Sequence, residues 1–297
     1  MGKKPKRTRI GERRICIFCG GPKLGRKMSK EHLWSDWMND IFEQLGLGEQ
    51  RVEVLEQFQQ NNRPFGEVTQ WRRSGGTHTK KIRVVCEDCN SQWMSGMEMA
   101  VRPYLEPMML GKPMLLDPVA QQLLAEWIAL KVIVLEHDPT VGKPATPIFA
   151  RAVREQFVAD RRALQGFKVW LGRNRPGNIW MGSLQRFSGG IAASHIQLTS
   201  DQLAARTKWG PNIQSVTWGA GHALIYVIAT SDNDVHRDLG WDTRGLLVPL
   251  WPPNWQPLHW PGATPLLTDQ QIAGIARTLP DLTRSGEPLR LNAHGIV

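Results

Sequence analysis

The chain has 297 residues, 41% of them hydrophobic and 22% charged, which describes an ordinary soluble globular protein large enough for two domains. Its 37 Lys/Arg against 27 Asp/Glu leave a formal charge of +10, a balance that favours polyanionic partners, nucleic acid foremost. No apolar run free of interruption reaches membrane-spanning length, and the basic first residues lack the apolar core of a signal peptide, so an intracellular, cytoplasmic protein with no membrane partner and reduced thiols is expected.

Residues 1–14 carry seven Lys/Arg and one Glu, and read either as a solvated disordered tail or as an arm that contacts phosphates. Arg13 to Phe18 reads as a short strand entering a turn at Cys16-Ile17-Phe18-Cys19, which Gly20-Gly21-Pro22 completes. After Glu31-His32, the residues Trp34, Trp37, Met38, Ile41 and Leu45 recur at helical spacing, with Gly46 placed to end the helix. Val52, Val54 and Phe58 suggest a strand in an otherwise turn-rich stretch. Lys80 to Val85 is a β-like segment running into Cys86-Glu87-Asp88-Cys89-Asn90. A helix beginning there is marked by Trp93, Met97, Ala100, Val101 and Tyr104, and Pro103 is expected to fray it.

Gly111-Lys112-Pro113 is the expected boundary between a domain at 15–112 and one at 113–297. The first 112 residues hold 20 Lys/Arg and 13 Asp/Glu, a net +7 of the total charge. Beyond it, Asp117 and Pro118 signal the start of a helix reaching toward Pro139, apolar on nearly every face and therefore buried. A further helix is expected at Ala150 to Leu164. Strands are expected at Phe167–Leu171, Asn178–Phe187, His195–Thr199, Ile213–Trp218, Ala223–Ala229 and Leu246–Trp251, with antiparallel pairing, and a last helix opens on the capping box Thr268-x-x-Gln271. The fold class is α+β.

The four cysteines, Cys16, Cys19, Cys86 and Cys89, are the whole complement of the chain. Two thiolates two residues apart present both sulfurs to one ion, so two such pairs suit a tetrahedral structural zinc. The 66 intervening residues exceed the usual ribbon spacing and suit an inserted working segment.

Taken in order, Cys16-x-x-Cys19-Gly20, Ser29-Lys30-Glu31-His32 and Val84-Val85-Cys86-x-x-Cys89-Asn90 resemble an HNH endonuclease of the zinc-stapled, treble-clef ββα-metal type, over about residues 15–105. The resemblance implies His32 as the general base that activates water. It implies Glu31 and Asn90 as ligands of a catalytic divalent cation, and the four cysteines as holders of a structural Zn2+. Most relatives have Asp where Glu31 stands, and a further His or Asn before the closing cysteines has no clean match, His78 being the nearest candidate metal or phosphate ligand.

The chemistry is coherent on its own terms. An imidazole with a pKa of about 6.5 can take a proton near neutral pH. A carboxylate and an amide oxygen are hard donors suited to Mg2+ or Mn2+. Arg72, Arg73, Lys80, Lys81 and Arg83 read as a phosphate track. Glu98 stands either behind the metal ligands or on an exposed helix face. Most of the eight tryptophans from Trp170 to Trp260 read as core, with exposed aromatics expected only around Trp251-Pro252-Pro253-Asn254-Trp255. The expected function is metal-dependent hydrolysis of DNA, most simply double-stranded. The alternatives are a zinc-stabilised nucleic-acid-binding protein without catalysis, or cleavage of RNA or branched DNA.

Overall fold

The computed structural model describes residues 15–20, 27–46, 52–56, 69–73, 81–137, 147–163, 165–175, 183–187, 213–231, 241–242, 245–276 and 291–292. The fold mixes helices with a mainly antiparallel sheet, as the sequence pattern predicts.

The N-terminal part opens on a two-residue strand, β1 (Glu31–His32), followed by α1 (Met38–Gln44), which Gly46 ends in the left-handed conformation. Strands β2 (Val52–Glu56) and β3 (Thr69–Arg73) form an antiparallel pair. The next strand, β4 (Lys81–Ile82), pairs antiparallel with β1, and the same pairing direction continues to a bridge between Met28 and Cys86. The chain then enters α2 (Glu87–Cys89), a π-helical turn (Asn90–Met94) and α3 (Ser95–Met109).

Two local expectations need correction here. Residues 17–19 form a turn, and no strand precedes Cys16 among the described residues. The helix after Cys86 does not fray at Pro103: it runs on through Pro103 and Pro107 to Met109. Proline removes an N–H and so leaves a carbonyl one turn earlier without its partner. For Pro103 that carbonyl is on Met99, whose side chain is 57% exposed, so the gap lies on a face open to water. Meanwhile Val101, Leu105, Met108 and Met109 are buried on the other side and hold the helix together.

Strand β5 (Met114–Leu116) leads into α4 (Pro118–Leu135), where Asp117 Oδ1 accepts the Ala120 N–H at 2.7 Å and Pro118 occupies the first helical position. This helix is the centre of the molecule, with 14 of its 18 residues buried. Each fully buried Leu, Ile or Val contributes about 1.5–3 kcal/mol, so burial outweighs any cost of its two internal charges. It ends at Leu135, short of Pro139, and Glu136 at its end accepts from Gln214 Nε2 at 2.7 Å. Its mean hydropathy of 1.4 over 18 residues would also suit a membrane span, but 78% of that stretch is buried within the protein.

Helix α5 (Arg151–Asp160) precedes the main sheet. Strands β6 (Phe167–Asn174), β7 (Ser183–Phe187), β8 (Ile213–Ala220) and β9 (Ala223–Thr230) join the later β11 (Val248–Trp251) in the order β11-β6-β9-β8-β7. Strands β10 (Trp241–Asp242), β11 (Val248–Trp251), β12 (Leu258–Trp260), β13 (Leu266–Leu267) and β14 (Leu291–Asn292) follow in sequence. Only β13 against β6, and β10 against β14, pair in parallel among the described strands. The expected strand at His195–Thr199 lies outside the described residues. The helix over 269–276 carries its capping box, with Gln271 Oε1 accepting the Thr268 N–H at 2.9 Å.

Every residue of β8 and β9 is buried, so both faces of the sheet are covered. Gly221, at φ +59°, opens the two-residue turn between them, and a side chain there would strike the Met109 carbonyl. That carbonyl accepts the His222 N–H at 2.9 Å, which seats the hairpin on the end of α3. Trp34 stacks edge-on against Trp218 at 5.6 Å. One cluster of buried side chains therefore runs from Cys16 to Trp260, through the expected boundary at 112.

Candidate metal centre and adjoining acid–lysine cluster

The first cysteine pair sits on a turn closed by the Gly20 N–H donating to the Cys16 carbonyl at 3.1 Å, with Gly20 at φ +76°. Three attachments hold this turn. The Ile17 N–H donates to Val84 O at 3.0 Å, Arg154 of α5 donates through Nε to Ile17 O at 2.9 Å, and Phe18 packs edge-on to Trp93 at 5.1 Å.

The second pair sits at a helix start. Cys86 is extended (φ −82°, ψ 161°) and caps α2, so Cys89 falls in the first turn. The Glu87 N–H donates to Lys27 O at 3.0 Å, tying this corner to the segment that leads to β1.

These two corners bring all four sulfurs within 4.8 Å of one another. Cys16 Sγ and Cys89 Sγ are 3.9 Å apart, and Cys19 Sγ and Cys86 Sγ 3.7 Å. Tetrahedral zinc with Zn–S near 2.3 Å requires sulfurs about 3.8 Å apart, whereas a disulfide requires about 2.05 Å. The spacing therefore fits a metal ion such as zinc. None of the four is in a disulfide; three are buried and Cys19 is exposed.

Burial pushes the Cys16 thiol up, and pushes Cys89 up further, helped by the neighbouring sulfurs. A metal ion must displace those protons, so loading releases protons and weakens in acid. Beside Cys89, the Arg161 guanidinium lies over the Trp93 ring at 4.0 Å. The Trp93 N–H favours the Cys89 thiolate, although its geometry falls short of a hydrogen bond.

The residues expected to act on a phosphodiester are distributed as follows. His32 is half-buried on β1, with Nε2 3.7 Å from Asp36 Oδ1, beyond hydrogen-bonding distance. Directly across the strand pair lies Lys81, which is exposed. Residues directly opposite share a face, so the imidazole and this ammonium flank the same surface. Arg83 is exposed as well. Asn90 Nδ2 donates to Ser29 Oγ at 2.8 Å, so the helix start is fastened to the residue two before Glu31. Arg72 and Arg73 end β3, paired with Glu53 and Val52, while His78 and Lys80 lie outside the described residues.

Glu31 is 3% exposed and accepts from Lys131 Nζ at 2.9 Å. The same ammonium donates to Glu98 Oε1 at 2.6 Å and to the His32 carbonyl at 3.1 Å. Burial alone would lower the lysine pKa, but Glu31 and Glu98 outweigh it and raise it above 10.5. Glu98 is thus not free on a helix face: it is the second carboxylate of an ion cluster.

The sequence reading missed Lys131. Its signal was the lone cation in the apolar run Trp127–Leu135, since a charge in a helix buried on all sides must find partners. No family model, curated protein or solved structure matches this chain.

Proposed function

We propose that the protein is a metal-dependent endonuclease of the HNH type, hydrolysing DNA phosphodiester bonds with His32 as general base. The observation that carries this reading is the ββα order around the cysteines. Met28–His32 runs antiparallel to Lys81–Cys86, the latter turns directly into a helix, and four sulfurs at metal-binding distances staple the corner. That arrangement supports a treble-clef unit in which zinc holds the corner and takes no part in the chemistry.

In this reading His32, half-exposed at the far end of β1, withdraws a proton from water. Lys81 and Arg83, both exposed, draw the phosphodiester to that surface. Asn90 commits its nitrogen to Ser29, so its amide oxygen is the atom it offers to Mg2+ or Mn2+. Such a cation, when bound, stabilises charge on the pentacoordinate phosphate. The net charge of +10 supports a polyanionic substrate.

The test is cleavage of supercoiled plasmid, linear duplex, single strand and RNA with Mg2+ or Mn2+. His32→Ala is expected to lower the rate about 10²–10⁴-fold while leaving DNA affinity unchanged. Intact plasmid with wild-type protein in both metals sinks the proposal.

The engagement of Glu31 by Lys131 favours a second reading, a zinc-stapled nucleic-acid-binding protein without catalysis. It predicts salt-sensitive binding with no turnover on any of the four substrates.

A further inference from the structure

We propose that Lys131 is a positioning residue for His32, and that Glu31 and Glu98 serve as its anchors and not as ligands of a divalent cation. This rests on the nuclease reading above and changes its internal division of labour.

Strand β1 is two residues long and pairs with a two-residue partner. The pairing continues back to Met28 and Cys86, but His32 stands at its last described rung, opposite Lys81, where a hold from outside the strand pair steadies the backbone. Lys131 does so directly, since its ammonium donates to the carbonyl of His32 itself at 3.1 Å. An ammonium that is 1% exposed has left water and must regain its interactions within the protein. It does so with three oxygens, at 2.6 Å from Glu98, 2.9 Å from Glu31 and 3.1 Å from the carbonyl, one for each of its N–H donors. The nest is complete without another cation.

Placement excludes the competing role for Glu31. Neighbouring residues on a strand point to opposite faces, so a cation held by Glu31 would lie on the far side of β1 from the imidazole of His32. Glu31 is also 3% exposed, which leaves no approach for a scissile phosphate, whereas His32 is open to one side. Lys131 reaches the cluster from α4, and thereby ties the position of His32 to the central helix of the molecule.

The experiment measures the cleavage rate against Mn2+ concentration for wild type, Lys131→Met, Glu31→Gln, the double variant and Glu98→Gln. Lys131→Met and Glu31→Gln are each expected to lower kcat about tenfold or more, with KM for DNA and the half-saturating Mn2+ concentration unchanged. The double variant should be no slower than the worse single one, because both break the same clamp. Glu98→Gln, on the side of the cluster that is 20% exposed, is the variant that keeps the fold, and it should show a smaller loss in kcat with the same Mn2+ dependence.

A tenfold rise in half-saturating Mn2+ for Glu31→Gln, absent in Lys131→Met, overturns the proposal, as does multiplicative loss in the double variant. If wild type cleaves nothing, the nuclease reading falls on its own. The clamp is then read from the His32 ring resonances in NMR spectra, which move in Glu98→Gln if it exists and stay in place if it does not.

Discussion

At the scale of single residues, the sulfurs and the buried ammonium obey opposite rules. Four thiols under 5 Å apart gain little from one another, and burial opposes the ionisation of Cys16 and Cys89, so a bound cation would be what stabilises the corner they form. Lys131 carries its own charge to its site. Cys89→Ser should therefore reduce bound zinc from one per chain to none and lower the melting temperature, as would a chelator acting on the wild type. Structural zinc is worth about 10–16 kcal/mol of apparent binding energy, and a protein of this size loses about 2–4 °C per kcal/mol. Metal analysis alongside a thermal melt checks this; unaltered zinc content in the variant would refute the four-thiolate centre. The cysteines were legible because each pair is local and the residue type is scarce. The clamp was not, because Glu31 and Lys131 are 100 residues apart, and a lone cation in an apolar helix signals that it needs partners without saying where in the chain they lie.

At the scale of elements, long apolar signals survived and short ones shifted. The cap at Asp117 and the burial of α4 match expectation, because a local cap and an apolar surround point to the same helix. Pro103 does not end α3 because the carbonyl it leaves unpaired lies on an exposed face, and a linear sequence does not say which face a proline occupies. Asp117→Ala is expected to cost about 0.5–2 kcal/mol in urea unfolding while leaving zinc content unchanged. Loss of zinc in that variant would show that α4 and the cysteine corner form one unit, contrary to the local role assigned to this cap.

The whole molecule is knit more tightly than its charge distribution suggests. The boundary at 112 follows a real change in sequence character, from +7 to +3, yet side chains from both sides share one core. Arg154 holds the first cysteine turn, Lys131 neutralises Glu31, and Trp218 covers Trp34. Such contacts are invisible to a linear reading, which sees where composition changes and not which surfaces meet. Residues 1–112 expressed alone should lack these partners and show no cooperative thermal transition even with zinc, whereas the full chain should. Circular dichroism through a melt is sufficient, and a sharp transition in the fragment would establish an independent domain.

The π-helical turn at Asn90–Met94 sets the phase of everything that follows it. In an unbroken α-helix, residues eight apart differ by about 80° around the axis. One extra residue in the winding reduces that offset to about 20°, which brings Asn90 and Glu98 into nearly the same line. Asn90 reaches Ser29 and Glu98 reaches Lys131, both toward the segment that contains His32. A single deletion within 90–94 would therefore restore regular α-winding and keep Glu98 facing the lysine, whereas one residue inserted after Met94 would rotate Glu98 by about 100° away from it while leaving the cysteine corner in place, uncoupling two sites that the sequence presents as one motif.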